Sequence, residues 1–259
     1  MNTKIIETVV KIMGLFGFGK KKKAIQKENI NNESFEENLI RYLNDNGYNH
    51  GEVRLLLPEV VNVLNFESKW KSILSLEKRN ERVEKTIYYW EKYASSFEIM
   101  IKILKSMLFS IDTVLYNEQL KVIYTFRVKD GFLYYIGGLP IEYPQDAIVN
   151  QLPIEILDFY RNIHNGFVLY GLGDMGLESY DNFYCIGEDL LQEEFIDGYS
   201  VKDTYMIFSN GAGDGIVYDV SQTPVKGFLY FHDDHDGCEF DINLIDTMCA
   251  WIEIVLKDI

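Results

Sequence analysis

The stretch 204-TYMIFSNGAGDGIVYDV-220 sets the fold class of this chain. Two apolar, β-prone runs, residues 205–208 and 216–218, flank Asn210, Gly211, Gly213, Asp214 and Gly215. Glycine enters positive φ without steric penalty, and Asn and Asp do so more readily than other residues. The stretch therefore predicts two antiparallel strands joined by a tight connection. A glycine cluster can also cradle a phosphate. Here no helix pattern and no Lys-Ser/Thr pair follows, so neither a P-loop nor a dinucleotide fingerprint is present.

Outward from this stretch, the composition suits a real core: 47% of the 259 residues are hydrophobic, including 18 Tyr and 16 Phe. That excludes a disordered chain. Charge is unevenly spread. Residues 151–259 hold four basic residues (Arg161, Lys202, Lys226, Lys257) against 21 acidic ones, a net of −17, whereas residues 1–150 are close to neutral at +2. The anionic part repels nucleic acid, because phosphate binding needs Lys and Arg to displace counterions. It attracts a basic partner and speeds the encounter, although solubility alone is a plainer use for the same charge. Cys185, Cys238 and Cys249 are odd in number and lack a C-x-x-C spacing, which indicates reduced thiols and neither a disulfide framework nor a zinc site.

Residues 1–23 run from apolar to basic, ending in Lys20–Lys23. The run is too short and interrupted to span a bilayer, and its order is wrong for a secretory signal. It reads as a mobile terminus; a surface-bound amphipathic helix is the alternative, in contact with anionic lipid. Residues 24–33 read as a linker. Ser34-Phe35-Glu36-Glu37 fits a capping box, and the helix it starts stops at Asn46-Gly47. Further helices are predicted over 58–76, with Pro58 in the first turn, and over 81–109, with apolar residues at three- and four-residue steps. At residues 119–128 the period changes to two. Lys129-Asp130-Gly131 turns the chain, and residues 132–136 return as the second strand of a hairpin.

From residue 152 onward the order of motifs becomes informative. Leu152-Pro153 opens a short helix whose apolar face is Ile156, Leu157, Tyr160 and Ile163, with Asn165-Gly166 as its stop. A helix-like stretch 188–195 precedes the glycine turn. An apolar strand 227–231 runs into His232-Asp233-Asp234-His235-Asp236-Gly237, and an amphipathic helix closes the chain over 243–257. Leu152-Pro153, Phe159-Tyr160, Asn165-Gly166, Asn210-Gly211-Ala212-Gly213-Asp214, Tyr218-Asp219, Asp234-His235-Asp236 and the last helix, taken in this order, resemble the SUKH superfamily. These domains are widespread as immunity proteins of bacterial polymorphic toxin systems.

The resemblance covers about residues 140–259. It implies an α+β fold with a bent antiparallel sheet flanked by helices, and binding in place of catalysis. The expected organisation is a terminal segment 1–33, a helical region 34–118, and a SUKH-like domain 119–259 that opens with the hairpin 119–137. The expected function is that of a cytoplasmic immunity protein, which occludes a cognate toxin, a basic nuclease, through an acidic surface. The expected partner-binding residues are Asp214, Asp219, Asp233, Asp234, Asp236, Glu239 and Asp241, with Glu193, Glu194 and Asp197 as a second patch and Tyr180 or Tyr199 as apolar anchor. No cofactor and no nucleic-acid partner is expected. Two readings compete: a regulatory scaffold acting through the N-terminal helices, and a metal-dependent hydrolase using His232 and His235. The pattern shows no paired catalytic carboxylates, nucleophile elbow or Cys–His motif, and His164 and His50 read as surface or turn residues.

Overall fold

A computed structural model describes residues 35–46, 53–66, 68–141, 147–171, 175–190, 195–240 and 242–258. The terminal segment 1–33, Ser34, His50, Glu193, Glu194 and Asp241 lie outside the described residues. Among the described residues, helices combine with a ten-stranded antiparallel sheet, an α+β arrangement. The glycine stretch forms the expected hairpin. Strand β10 (Thr204–Ser209) pairs with β11 (Gly215–Asp219), with Thr204 opposite Asp219 and Ser209 opposite Gly215. Gly211 and Gly213 take φ of 76° and 104°, values that an L side chain resists. The Asp-Gly hairpin is equally direct: β3 (Gln119–Val128) and β4 (Gly131–Gly138) pair in unbroken register.

The remaining strands are β1 (Val53–Leu56), β2 (Leu108–Tyr116), β5 (Asn165–Leu169), β6 (Gly176–Leu177), β7 (Tyr184–Cys185) and β12 (Lys226–Tyr230), with β8 (Phe195–Ile196) and β9 (Tyr199–Ser200) forming a separate hairpin. The large sheet runs β1-β2-β3-β4-β5-β6-β10-β11-β12, with β7 also on β10. The helices are α1 (Phe35–Asp45), α2 (Pro58–Val63), α3 (Lys71–Leu74), α4 (Arg79–Trp90), α5 (Ala94–Met107), α6 (Ile154–Asp158, continued as a π-turn over Phe159–Ile163) and α7 (Leu244–Asp258).

Successive strand residues point to opposite faces, and the core divides accordingly. On one face Val122, Tyr124, Phe126, Leu133, Tyr135, Ile216, Tyr218 and Leu229 pack with α4, α5, α6 and α7. On the other, Ile123, Phe132, Tyr134 and Ile136 meet Leu39, Tyr42 and Leu43 of α1. The same second face further along carries Met206, Val217, Phe228 and Tyr230. There Ile186, Ile196, Val201 and Cys238, from loops and the β8–β9 hairpin, cover it. A face covered by loops leaves more backbone and side chain at the surface than one covered by helices, and the candidate site lies on it.

Several expectations need correction. β2 pairs with β3 from Leu108↔Phe126 to Tyr116↔Gln119, so the sheet crosses the expected division at 118/119 unbroken. The region 34–118 is also not wholly helical, because it supplies β1 and β2. The helix expected over 58–76 is two short ones; Leu64 leaves α2 with extended backbone, and Trp70, Ile73 and Leu74 bury as a separate turn. The helix expected over 81–109 breaks at residues 91–93 and again bends at Phe97, and it ends at Met107. Asn165-Gly166 starts β5 as well as stopping a helix. Within 188–195 no described residue is α-helical, and Phe195 is in a strand.

His164 is not a surface residue. It is fully buried and lies flat on Trp70, with ring centroids 4.7 Å apart. The Gly138 carbonyl can only accept, so His164 Nδ1 carries the proton in the 2.8 Å contact between them. His164 Nε2 then accepts from the Tyr124 hydroxyl at 2.8 Å, and that hydroxyl accepts from Trp90 Nε1 at 3.0 Å. The chain Trp90–Tyr124–His164–Gly138 is satisfied throughout and ties α4, β3, β4 and the end of the π-turn together. Burial pushes the His164 pKa down to about 3, against a smaller upward effect of the Gly138 bond, so the ring is neutral at physiological pH. Gly137 makes this possible, since a Cβ there would sit 2.6 Å from the His164 ring.

Candidate functional site

The site is built from three segments on the loop-covered face: the glycine connection 210–214, the stretch 231–240 after β12, and the β8–β9 hairpin. The connection is held by its own side chains. Asn210 Oδ1 accepts from the Ala212 and Asp214 amides at 2.8 and 3.1 Å, and Asn210 Nδ2 donates to Asp214 Oδ2 at 3.0 Å. Asp214 Oδ1 in turn accepts from the His232 amide at 3.0 Å and lies 2.8 Å from His232 Nδ1. Asp214 is thus a buried clasp between two loops, 2% exposed, and it cannot meet a partner as expected.

Asp219 is likewise misplaced by the sequence reading. It is 0% exposed and accepts from the Ser200 and Ser221 amides, Ser221 Oγ and Gln222 Nε2. Burial alone would raise its pKa, but these four donors hold it below the usual carboxylate value. Its role is to pin β9 and the turn after β11 to each other.

The surface acids are a different set. Asp233, Asp234 and Asp236 are exposed on the 232–237 turn, and Asp197 is exposed at the tip of the β8–β9 hairpin. Asp234 Oδ1 caps Gly237 N at 3.2 Å, and Asp233 Oδ2 lies 3.2 Å from His232 Nε2. Glu239 is half-buried, and its backbone exchanges hydrogen bonds with Leu229 at the outer edge of β12. Asp197 and Asp236, 39 residues apart in sequence, converge: a cleft of about 510 Å³ is lined by Phe195, Ile196 and Asp197 on one side and His235, Asp236, Cys238 and Phe240 on the other.

Tyr199, expected as an anchor, is spent inside; its ring is 4.7 Å from Phe228 and 5.0 Å from Phe240. Tyr180 is half-buried against the main core. Phe195, by contrast, faces outward at the rim of the cleft, 61% exposed. Sequence reasoning missed it, although an aromatic directly before Ile196-Asp197-Gly198 and after Glu193-Glu194 was a usable signal. Among the described residues no group of three or more His, Cys, Asp or Glu comes together to hold a metal ion. The three cysteines are free, with Cys238 and Cys249 buried, and burial raises the thiol pKa of each, that of Cys249 to about 12. Among the described residues no helix is long and apolar enough to cross a membrane. The chain matches no family model, no curated protein and no solved structure.

Proposed function

We propose that this chain is a non-catalytic binding protein that takes a basic protein partner on the cleft between the β8–β9 hairpin and the 232–240 stretch. One observation carries the reading. Phe195 stands exposed at the rim of a cleft whose two walls present Asp197 and Asp236. An apolar anchor bordered by like charges is what a tight interface with a cationic surface needs: the aromatic supplies burial, and the acids supply steering and register. The excess of acids over the whole 151–259 region extends the same field beyond the contact itself.

The likeness of residues 140–259 to SUKH domains supplies the class of partner. The chain would act as an immunity protein in the cytoplasm, occluding a cognate toxin with a basic, phosphate-binding active site. The partner would be the toxin domain encoded beside this protein. Co-expression with that toxin, scored by survival and by binding of the purified pair, tests the reading. Protection that is lost in the triple variant Phe195→Ala, Asp197→Lys, Asp236→Lys supports it. Protection equal to that of the parent overturns the assignment of this surface. Failure of the parent itself to bind or protect overturns the immunity function.

A further inference from the structure

Helix α2 turns an apolar face outward. Val61 is buried in the core, but Leu57, Val60 and Val63, at successive three-residue steps, are exposed, Val63 by 79%. Six large apolar side chains are exposed among the described residues, and these three fall within seven positions. Scattered exposed aliphatics are ordinary, whereas a run of them along one helix marks a contact surface. Local preference does not account for them. A β-branched side chain loses χ1 freedom in a helix, so an exposed helical position gains nothing from valine. The helix follows directly on β1, the edge strand at the opposite end of the large sheet from β12 and the Phe195 cleft.

Size argues against a second copy as the cover. Three aliphatic side chains offer far less than the about 800 Å² per partner of a stable interface between separate molecules. A segment tethered to the same chain needs no such area, because its effective concentration over a short connection is about millimolar. Residues 1–34 precede α1 and lie outside the described residues. Within them Ile6, Val9, Val10 and Met13 stand at i, i+3, i+4 and i+7. Glu7 precedes Lys11 by four on the other side, so the stretch has the pattern of an amphipathic helix.

The described chain begins close to α2. Phe35 of α1 packs on Phe109 with ring centroids 5.2 Å apart, and Glu36 pairs with Arg79 at the start of α4 at 2.8 Å. Phe109 lies four residues along β2 from Thr113, and Thr113 pairs with Leu56, the neighbour of Leu57. At about 3.3 Å per strand residue and one strand spacing, Phe35 and Leu57 are about 20 Å apart. The 21 residues 14–34 join Met13 to Phe35. As a coil they span about 25 Å, so the segment reaches α2 without being drawn taut.

We infer that residues 5–13 fold back as a helix onto the Leu57–Val60–Val63 face of α2. The contact takes the apolar part of the terminus out of solvent and away from lipid. It is separate from the Phe195 cleft and independent of the immunity reading.

Amide hydrogen exchange of the full chain tests it, at two protein concentrations tenfold apart. Residues 5–13 should exchange about tenfold or more slowly than in a free peptide of the same sequence, equally at both concentrations. Val60→Lys with Val63→Lys should return them to the free-peptide rate. Ile6→Lys with Val10→Lys should reciprocally speed exchange over 57–64. The β3–β4 amides should not change in either variant, which separates loss of the contact from loss of the fold. If the α2 double substitution disturbs them, Val63→Ser alone, at the most exposed position, carries the comparison and should speed exchange of 5–13. Four results overturn the inference. Residues 5–13 of the parent exchange at the free-peptide rate; their protection appears only with vesicles of anionic phospholipid; it rises with protein concentration, so that a second copy is the cover; or it is indifferent to the α2 substitutions.

Discussion

The Asp214 carboxylate holds His232 at two points with one oxygen, 3.0 Å from the backbone amide and 2.8 Å from ring Nδ1. Its other oxygen accepts from Asn210. The glycine connection and the acidic turn after β12 are thereby one unit. Gly213 permits the approach, since a Cβ there would come within 2.9 Å of the His232 ring. Asp214→Ala removes the acceptor for the Asn210 side chain and the His232 amide together. We expect it to cost about 2–4 kcal/mol, in the range for a broken buried charged hydrogen-bond set. Urea denaturation checks this, and a loss under about 0.5 kcal/mol would show the clasp to be dispensable.

His164 makes stability depend on pH. Its pKa falls from the ordinary 6.5 to about 3 in the folded chain. Between these values the unfolded chain binds a proton that the folded chain does not. This contribution is therefore complete above the unfolded pKa and is lost as pH falls, at about 1.4 kcal/mol per pH unit. Asp219, with its lowered pKa, loses stability in the same direction as pH falls. His164→Phe should be less stable at neutral pH, because the Gly138 carbonyl and the Tyr124 hydroxyl lose their partner. Its stability should also fall less steeply from pH 6 to 4. Asp219 is present in both proteins and cancels, so the difference between the two curves isolates the histidine. Parallel curves would show that the folded chain takes up a proton at His164 as readily as the unfolded chain, so that burial does not lower its pKa.

What could be read in the sequence was local. The positive φ at Gly211 and Gly213, the Asp130-Gly131 turn and the buried stripe of α7 each follow from residues within a few positions. β2 was hidden because the apolar steps of α5 continue through Leu104 and Leu108, so the helical period runs on past the point where the chain becomes a strand. The fates of Asp214, Asp219 and His164 were hidden for another reason. His232 is 18 residues from Asp214, Ser200 is 19 from Asp219, and Tyr124 is 40 from His164. A carboxylate inside a ring of donors and one in water read alike until the donors are placed. The convergence of Asp197 with Asp236 was beyond reach for the same reason, while the acidic character of both segments was plain.

Arg82 fixes the seam between α4, the residues after α3, and β2. Its guanidinium donates to the carbonyls of Ile111, Leu76 and Glu77 at 2.7, 2.8 and 2.9 Å and to Asp112 Oδ1 at 2.8 Å. Ser110 Oγ holds the second Asp112 oxygen. The group is 7% exposed, so removing the cation leaves a largely buried carboxylate and three carbonyls unpaired. Arg82→Ala should cost about 3–5 kcal/mol. Arg82→Lys should recover little, because an ammonium cannot span a fork of acceptors. Denaturant midpoints check both. A lysine variant as stable as the parent would show that charge alone, without the fork, holds the seam.

The two components of the proposed partner surface should separate kinetically. Asp197 and Asp236 are solvated, so they act mainly during approach. Asp197→Asn with Asp236→Asn should slow association and flatten its dependence on salt, with little change in dissociation. Phe195 is 61% exposed in the free chain and gains burial only on contact. Phe195→Ala should therefore leave folding stability within about 0.5 kcal/mol of the parent and leave association nearly unchanged. Its effect should appear in dissociation, faster by about 10- to 100-fold if the ring is a central anchor. Surface plasmon resonance against the cognate toxin domain at two salt concentrations reads both effects. The opposite assignment, with the acids changing only dissociation and the ring changing only association, would mean that the carboxylates are desolvated at the centre of the contact and the aromatic lies at its margin.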